Sequence, residues 1–160
     1  MAIQYIIGDA TNPPTDGARI IVHVCNDIGG WGRGFVLALS SKWDSPEREY
    51  REWHKRSSDP PFELGEVQFV EVDSQLWIAN MIGQRDTRWH AGRHPVRYEA
   101  IRKGLGRVAD FALEHSASIH MPRIGCGLAG GDWAEVEQII DEAFSGHSID
   151  VAVYDLPESK

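Results

Sequence analysis

Cysteine is nearly absent: Cys25 and Cys126 are the two among 160 residues. The opening "MAIQYIIGDATNPP" lacks a basic stretch followed by a long apolar one, so no secretory signal is expected. Both cysteines are therefore read as reduced thiols in the cytoplasm, outside any disulfide framework. No segment approaches the roughly 18 apolar residues that a membrane helix needs. Positive charge is scarce too: the formal net charge is −8. That argues against general nucleic-acid binding, which rests on neutralising many phosphates with Lys and Arg. A small phosphate-bearing ligand stays compatible, because backbone amides at loops and helix N-termini can hold it. No metal site is expected. His90 and His94 are four apart, but Pro95 disfavours helix at His94, and no Cys or carboxylate cluster completes a set.

The length fits one domain spanning 1–160, with 42% hydrophobic and 25% charged residues, an ordinary globular composition. There is no internal repeat or low-complexity tract. Ile3–Gly8 reads as a strand. The β-branched run "IIVHVC" (20–25) reads as a strand buried on both faces. A short helix is expected in "FVLALSSKW", and another from Ser45 to about Arg56, with Pro46 in its first turn after a capping serine. Glu66–Val72 and Leu76–Ile82 flank "DSQ" as a hairpin. After Pro95 a helix runs to about Ser116, its apolar stripe formed by Ile101, Leu105, Val108 and Ala112. Ser118–Met121 is a strand, Asp132–Phe144 a helix and Ile149–Leu156 a final strand. This alternation predicts an α/β class: a three-layer α/β/α domain with a mixed central sheet.

What is abundant is glycine in two places, "NDIGGWGRG" (26–34) and "MPRIGCGLAGGDW" (121–133). In the second, Asp132 and Glu135 form a capping box for the helix that follows, but a cap does not explain the glycines before it. Gly125, Gly127 and Gly130 satisfy G-x-G-x-x-G, a dinucleotide fingerprint, with Asp150 or Asp155 at about the expected acidic position. Yet only one strand follows, whereas a Rossmann domain builds its sheet after this motif. A third reading joins the two loops: each follows a strand and precedes a helix, and together their amides could clamp a pyrophosphate. Two unrelated turns remain the plain alternative.

With both loops located, the sequence resembles a macro domain, the ADP-ribose-binding module. "GDAT", "VHVCNDIGGWGRGF", "LGEVQFVEV", "IANMIGQ", "YEAIRKGL" and "MPRIGCGLAGGDW" occur in that family's order across nearly the whole chain. The nearest branch is that of the terminal ADP-ribose protein glycohydrolase and its bacterial relatives. The resemblance implies that Asp9 accepts a hydrogen bond from the adenine amino group, with Ala10 and Thr11 beside it. It places Asn26 at the distal ribose, and Gly32, Arg33, Gly34 and Phe35 along the ribose and pyrophosphate. Ile124, Gly125, Cys126, Gly127, Leu128 and Ala129 would present the phosphate loop, and Leu156 would close over adenine. Cys126 has a backbone role in this scheme, and bound phosphate would raise a thiol's pKa, so it is not expected to be a nucleophile. Cys25 and His23 read as packing residues. Trp31 is either a lid over the ribose or an anchor for its loop.

The chain departs from that branch at the chemistry. Gln84 stands where the glycohydrolase carries a covalent lysine, and Ala129 where it carries an aspartate. Glutamine forms no Schiff base and alanine moves no proton. Other macro-domain enzymes orient a water with substrate phosphate and backbone, so hydrolysis without a strong base stays possible. The expected catalytic residues are Asn26 and Gln84, holding water, and Arg85, stabilising a departing carboxylate. The main expectation is an ADP-ribosyl hydrolase that removes mono-ADP-ribose from acidic side chains, without cofactor or metal. The protein would act as a monomer on ADP-ribosylated proteins, away from membranes. A phosphatase acting on ADP-ribose 1″-phosphate and a non-catalytic ADP-ribose reader are the alternatives. An NAD-dependent dehydrogenase would need tight NAD binding, which a macro domain disfavours.

Overall fold

The computed structural model describes residues 3–14, 16–88, 92–126 and 129–157. The strands are β1 (Gln4–Ile7), β2 (Arg19–Asn26), β3 (Val67–Asp73), β4 (Leu76–Gln84), β5 (Ser118–Met121) and β6 (Val151–Asp155). The helices are α1 (Phe35–Ser40), α2 (Ser45–Arg56), α3 (Tyr98–His115) and α4 (Trp133–Phe144). The strands form one sheet in the order β1-β6-β5-β2-β4-β3. Every neighbouring pair is parallel except the β3–β4 hairpin.

The two-residue period of a strand makes β2 the centre of both layers. Ile20 and Val22 join Ile101, Leu105 and Val108 of α3 and Val136 and Ile140 of α4 in one core. Ile21 and Cys25 point the other way, into a second core with Leu39 of α1 and Tyr50 and Trp53 of α2. Ile20, Ile21 and Val22 are fully buried, and each such side chain contributes about 1.5–3 kcal/mol. Helices on both faces of a mixed sheet are what the sequence predicts.

The cap of α2, the start of α3 and the partner of the Asp132 amide differ from the sequence reading. Ser45 is already helical, because the Arg48 amide bonds the Asp44 carbonyl and makes Asp44, not Ser45, the cap position of α2. α3 begins at Tyr98 rather than directly after Pro95. Residues 95–97 instead pair with the end of β4: Arg85 N donates to Pro95 O, Val96 bridges Gln84, and Arg97 N donates to Gly83 O. Asp132 does cap α4, its carboxylate accepting from the Ala134 amide at 3.1 Å. The amide of Asp132 donates to the Tyr98 hydroxyl at 3.0 Å, so Tyr98 takes the place that the box would give Glu135.

One topological feature positions the site. After β2 the chain moves toward β3 and β4, and after β5 it moves the other way, to β6. Their carboxyl ends therefore diverge at a switch point, where a parallel α/β sheet opens a crevice.

Candidate ligand-binding site

A cavity of about 580 Å³ opens beside this point, at the carboxyl ends of β2 and β4, lined among others by Asn26, Trp31, Gly32, Arg33, Gln84 and Arg88. Its volume falls in the range of sites for small ligands. Asn26 ends β2 at a shift of register against β4, where it sits opposite Gln84. Such a shift re-aims side chains at strand ends. The Asn26 amide closes the loop that follows. Its Oδ1 accepts from the amides of Ile28 at 3.1 Å and Gly30 at 2.9 Å, and its Nδ2 donates to Gly30 O at 3.0 Å. The Tyr50 hydroxyl lies 2.6 Å from Asn26 O and 2.9 Å from Oδ1. Asn26 is thus heavily committed to the shape of the floor. Gln84 is half-buried, and its Nε2 donates to Asp86 O at 2.9 Å.

Trp31 anchors its loop. It is buried, donates from Nε1 to Ser40 Oγ at 2.8 Å, and meets the His23 ring edge-on at 5.3 Å. Burial pushes the His23 imidazole down to about 4, although its 2.6 Å bond to Asn80 pulls the other way. His23 is therefore a neutral packing group below the cavity. Burial raises the Cys25 thiol well above its ordinary value, which leaves it inert beside that ring.

The loop glycines sort by what fills the space beside them. A side chain at Gly29 would overlap the His54 ring, and one at Gly30 would come within 2.9 Å of Asn26 Nδ2. Gly131 donates its amide to Gly125 O at 2.8 Å, so closely that a Cβ would overlap that oxygen. A Cβ on Gly125 would stand 3.0 Å from Ile101, and its φ of +74° disfavours a side chain in any case. Gly32 differs. Its φ is not in the left-handed region, nothing lies within 4 Å of its Cβ position, and it lines the cavity. Among the described residues, no neighbour accounts for its missing side chain.

The remaining candidates follow the carboxyl ends of neighbouring strands. Asp9, Ala10 and Thr11 come after β1, Leu156 after β6, Ile124–Ala129 after β5, Asn26–Phe35 after β2, and Gln84 and Arg85 at the end of β4. Asp9 Oδ1 accepts from the Thr11 amide at 2.8 Å and hydroxyl at 2.7 Å. Burial pushes the Asp9 carboxyl up, but those two bonds and Lys42 outweigh it and hold the pKa below its usual value. Ala10 packs with Ala152 and Tyr154, and Phe35 joins this group to the core beneath Trp31. Leu156 is 72% exposed. Ile124 and Ala129 are buried, and burial raises the half-buried Cys126 thiol. Gly34, with φ +78°, starts α1. Gly127 and Leu128 lie outside the described residues.

Of the three catalytic candidates, Asn26 and Gln84 line the cavity and Arg85 does not. Thr87 and Arg88 do, and sequence reasoning missed both. The signal available was the density of arginine after Gln84, which holds Arg85, Arg88, Arg93 and Arg97 in one run.

Comparison with known proteins defines the class. The model of the macro domain matches residues 22–140. ADP-ribose glycohydrolase OARD1 of Bos taurus is 31% identical over 156 residues, covering 96% of this chain and 91% of that protein. Chromodomain-helicase-DNA-binding protein 1-like of Danio rerio is 30% identical, but this chain spans only 15% of its length. Among solved structures, a protein from Bacteroides thetaiotaomicron is 55% identical with a TM-score of 0.94, over 98% of this chain and 99% of that one. A macrodomain protein from Streptomyces coelicolor is 52% identical with a TM-score of 0.86, over 96% and 99% of the two chains. The chain belongs to the macro domain family.

Proposed function

We propose that this protein binds ADP-ribose across the carboxyl edge of its sheet and hydrolyses mono-ADP-ribose from acidic side chains. The observation that carries the reading is Gly32, a glycine without a neighbour at its Cβ position among the described residues, facing a cavity at the carboxyl ends of β2 and β4. The row from β1 to β4 spans four strand spacings, about 19 Å, which suits an extended nucleoside diphosphate sugar. In this reading adenine lies at Asp9 under Leu156, and the pyrophosphate meets the amides of 124–129 together with those of Arg33 and Gly34. The distal ribose enters the cavity between Asn26 and Gln84. The name of the OARD1 relative supports hydrolysis.

Gln84 supplies no amine for a covalent adduct, so water is the nucleophile. Gln84 Oε1 orients it toward the anomeric carbon, while Asn26 keeps the floor in shape. The water oxygen bonds that carbon as its bond to the ester oxygen breaks. The departing carboxylate keeps the bonding pair, stabilised by the Arg33 guanidinium, and the water's proton passes to solvent. A carboxylate is a good leaving group, so positioning and charge stabilisation supply much of the acceleration. The reading takes the protein to work as a cytoplasmic monomer with both thiols reduced.

The experiment is release of ADP-ribose from a protein mono-ADP-ribosylated on glutamate, with Gly32→Val as control. Release by the wild type alone supports the reading. Binding of free ADP-ribose without release makes the protein a reader. Phosphate release from ADP-ribose 1″-phosphate, with the glutamate ester left intact, makes it a phosphatase.

A further inference from the structure

The cavity mouth carries a charge that the rest of the chain does not. Arg33 and Arg88 line the cavity from two different loops, those after β2 and β4. Arg85 and Arg93 are exposed on the same segment as Arg88, and both lie close enough to Arg97 to depress its guanidinium, second to the effect of burial. The acidic groups on this rim are Asp27 and Asp86. Asp27 Oδ1 accepts from the Asp86 amide, and Asp86 Oδ1 accepts from the Thr87 amide. Four exposed arginines, Arg33, Arg85, Arg88 and Arg93, against two aspartates leave the rim positive in a chain of net charge −8. Among the described residues, no ion pair takes up Arg33, Arg85, Arg88 or Arg93. The fold itself therefore makes little use of these cations.

Resting on the function proposed above, we infer that this rim is a second binding site, for the group to which ADP-ribose is attached. It selects a peptide with carboxylates flanking the modified residue. Whatever the distal ribose carries must leave the cavity past Arg33 and Arg88, and planar guanidinium groups match carboxylates in bidentate fashion. Ester formation neutralises one side chain only, so its acidic neighbours keep their charge and meet the arginines. A nucleic-acid strand carries a phosphate at every nucleotide and would run on past the rim, along a chain whose net charge is −8. A short acidic peptide ends within it.

The test uses two peptides of equal length that carry ADP-ribose through an uncleavable linkage, flanked by glutamates in one and glutamines in the other. Fluorescence anisotropy at low salt is expected to give about tenfold tighter binding of the glutamate-flanked peptide. The preference is expected to shrink at high salt, where the screening length falls to about 3 Å at 1 M. Arg88→Gln abolishes it. Arg93→Gln, outside the cavity, narrows it and leaves free ADP-ribose binding within about twofold, the change expected of a remote surface charge. Equal binding of the two peptides at low salt overturns the inference. So does tighter binding of an ADP-ribosylated single-stranded oligonucleotide than of the acidic peptide. Because the linkage does not break, the result stands whether or not the protein hydrolyses anything, which separates this inference from the proposed activity.

Discussion

The loops after β2 and β5 are both rich in glycine, but they use it differently. The β5 loop closes on itself: Gly131 bonds Gly125 backbone to backbone, and Gly125 packs against Ile101. The β2 loop closes only through its first half, where Asn26 gathers Gly30 and the Ile28 amide. Its second half leaves Gly32 and Gly34 with no neighbour among the described residues at their Cβ positions. Glycine serves architecture at Gly125 and Gly131 and access at Gly32. The two uses look alike in sequence and separate only when the space beside each residue is known.

The largest effect expected from this contrast is on stability in the β5 loop. Gly131→Ala forces a methyl group against the Gly125 carbonyl and should cost about 3 kcal/mol, or about 6–12 °C in Tm for a chain of this size. An unchanged melting curve would break the comparison. Gly32→Val should do the reverse, leaving stability within about 0.5 kcal/mol while weakening ADP-ribose about 100-fold, near 2.7 kcal/mol by calorimetric titration.

A pH series sharpens the β2 side, because His23 lies under Trp31. Its folded pKa, pushed down to about 4, lies below the unfolded value near 6.5, so the unfolded chain binds the extra proton as the solution is acidified. The His23 contribution is therefore fully present above about pH 6.5 and is lost as pH falls toward 4. By pH 4.5 the loss is on the order of 2–3 kcal/mol. Because burial also lowers His120 to about 4, the difference between the wild type and His23→Asn in urea unfolding at pH 7 and pH 4.5 measures it, and the variant should flatten the dependence by up to one proton. The smallest effect is at the exit of the β5 loop. Asp132→Ala removes the cap from the Ala134 amide and should cost about 1 kcal/mol in the same unfolding assay, with ADP-ribose affinity kept.

Much of the fold was legible because its signals are local. The run at 20–25 could satisfy two cores only as a central strand, and Ile101, Leu105 and Val108 mark the buried face of α3 from their spacing alone. The α3 start was not legible, since residues 95–97 pair with the end of β4, a contact distant in sequence. Nor was the partner of the Asp132 amide, the hydroxyl of Tyr98 34 positions earlier. In the site, Asn26 and Gln84 could be named from their motifs, and they do face each other across β2 and β4. Arg85 follows Gln84 directly in sequence and is expected there to stabilise the departing carboxylate, whereas the cavity is lined by Gln84, Thr87 and Arg88. Adjacency along the chain is a poor guide where a strand gives way to a loop, because successive side chains diverge there.

The central claim is that the open half of the β2 loop receives the distal ribose. A crystal structure of the protein with ADP-ribose tests it most directly. The account expects adenine beside Asp9, diphosphate on the amides of the β5 loop, and the distal ribose in the cavity within contact of Gly32, between Asn26 and Gln84. A ribose lying outside that cavity, with Gly32 still facing solvent, would contradict it.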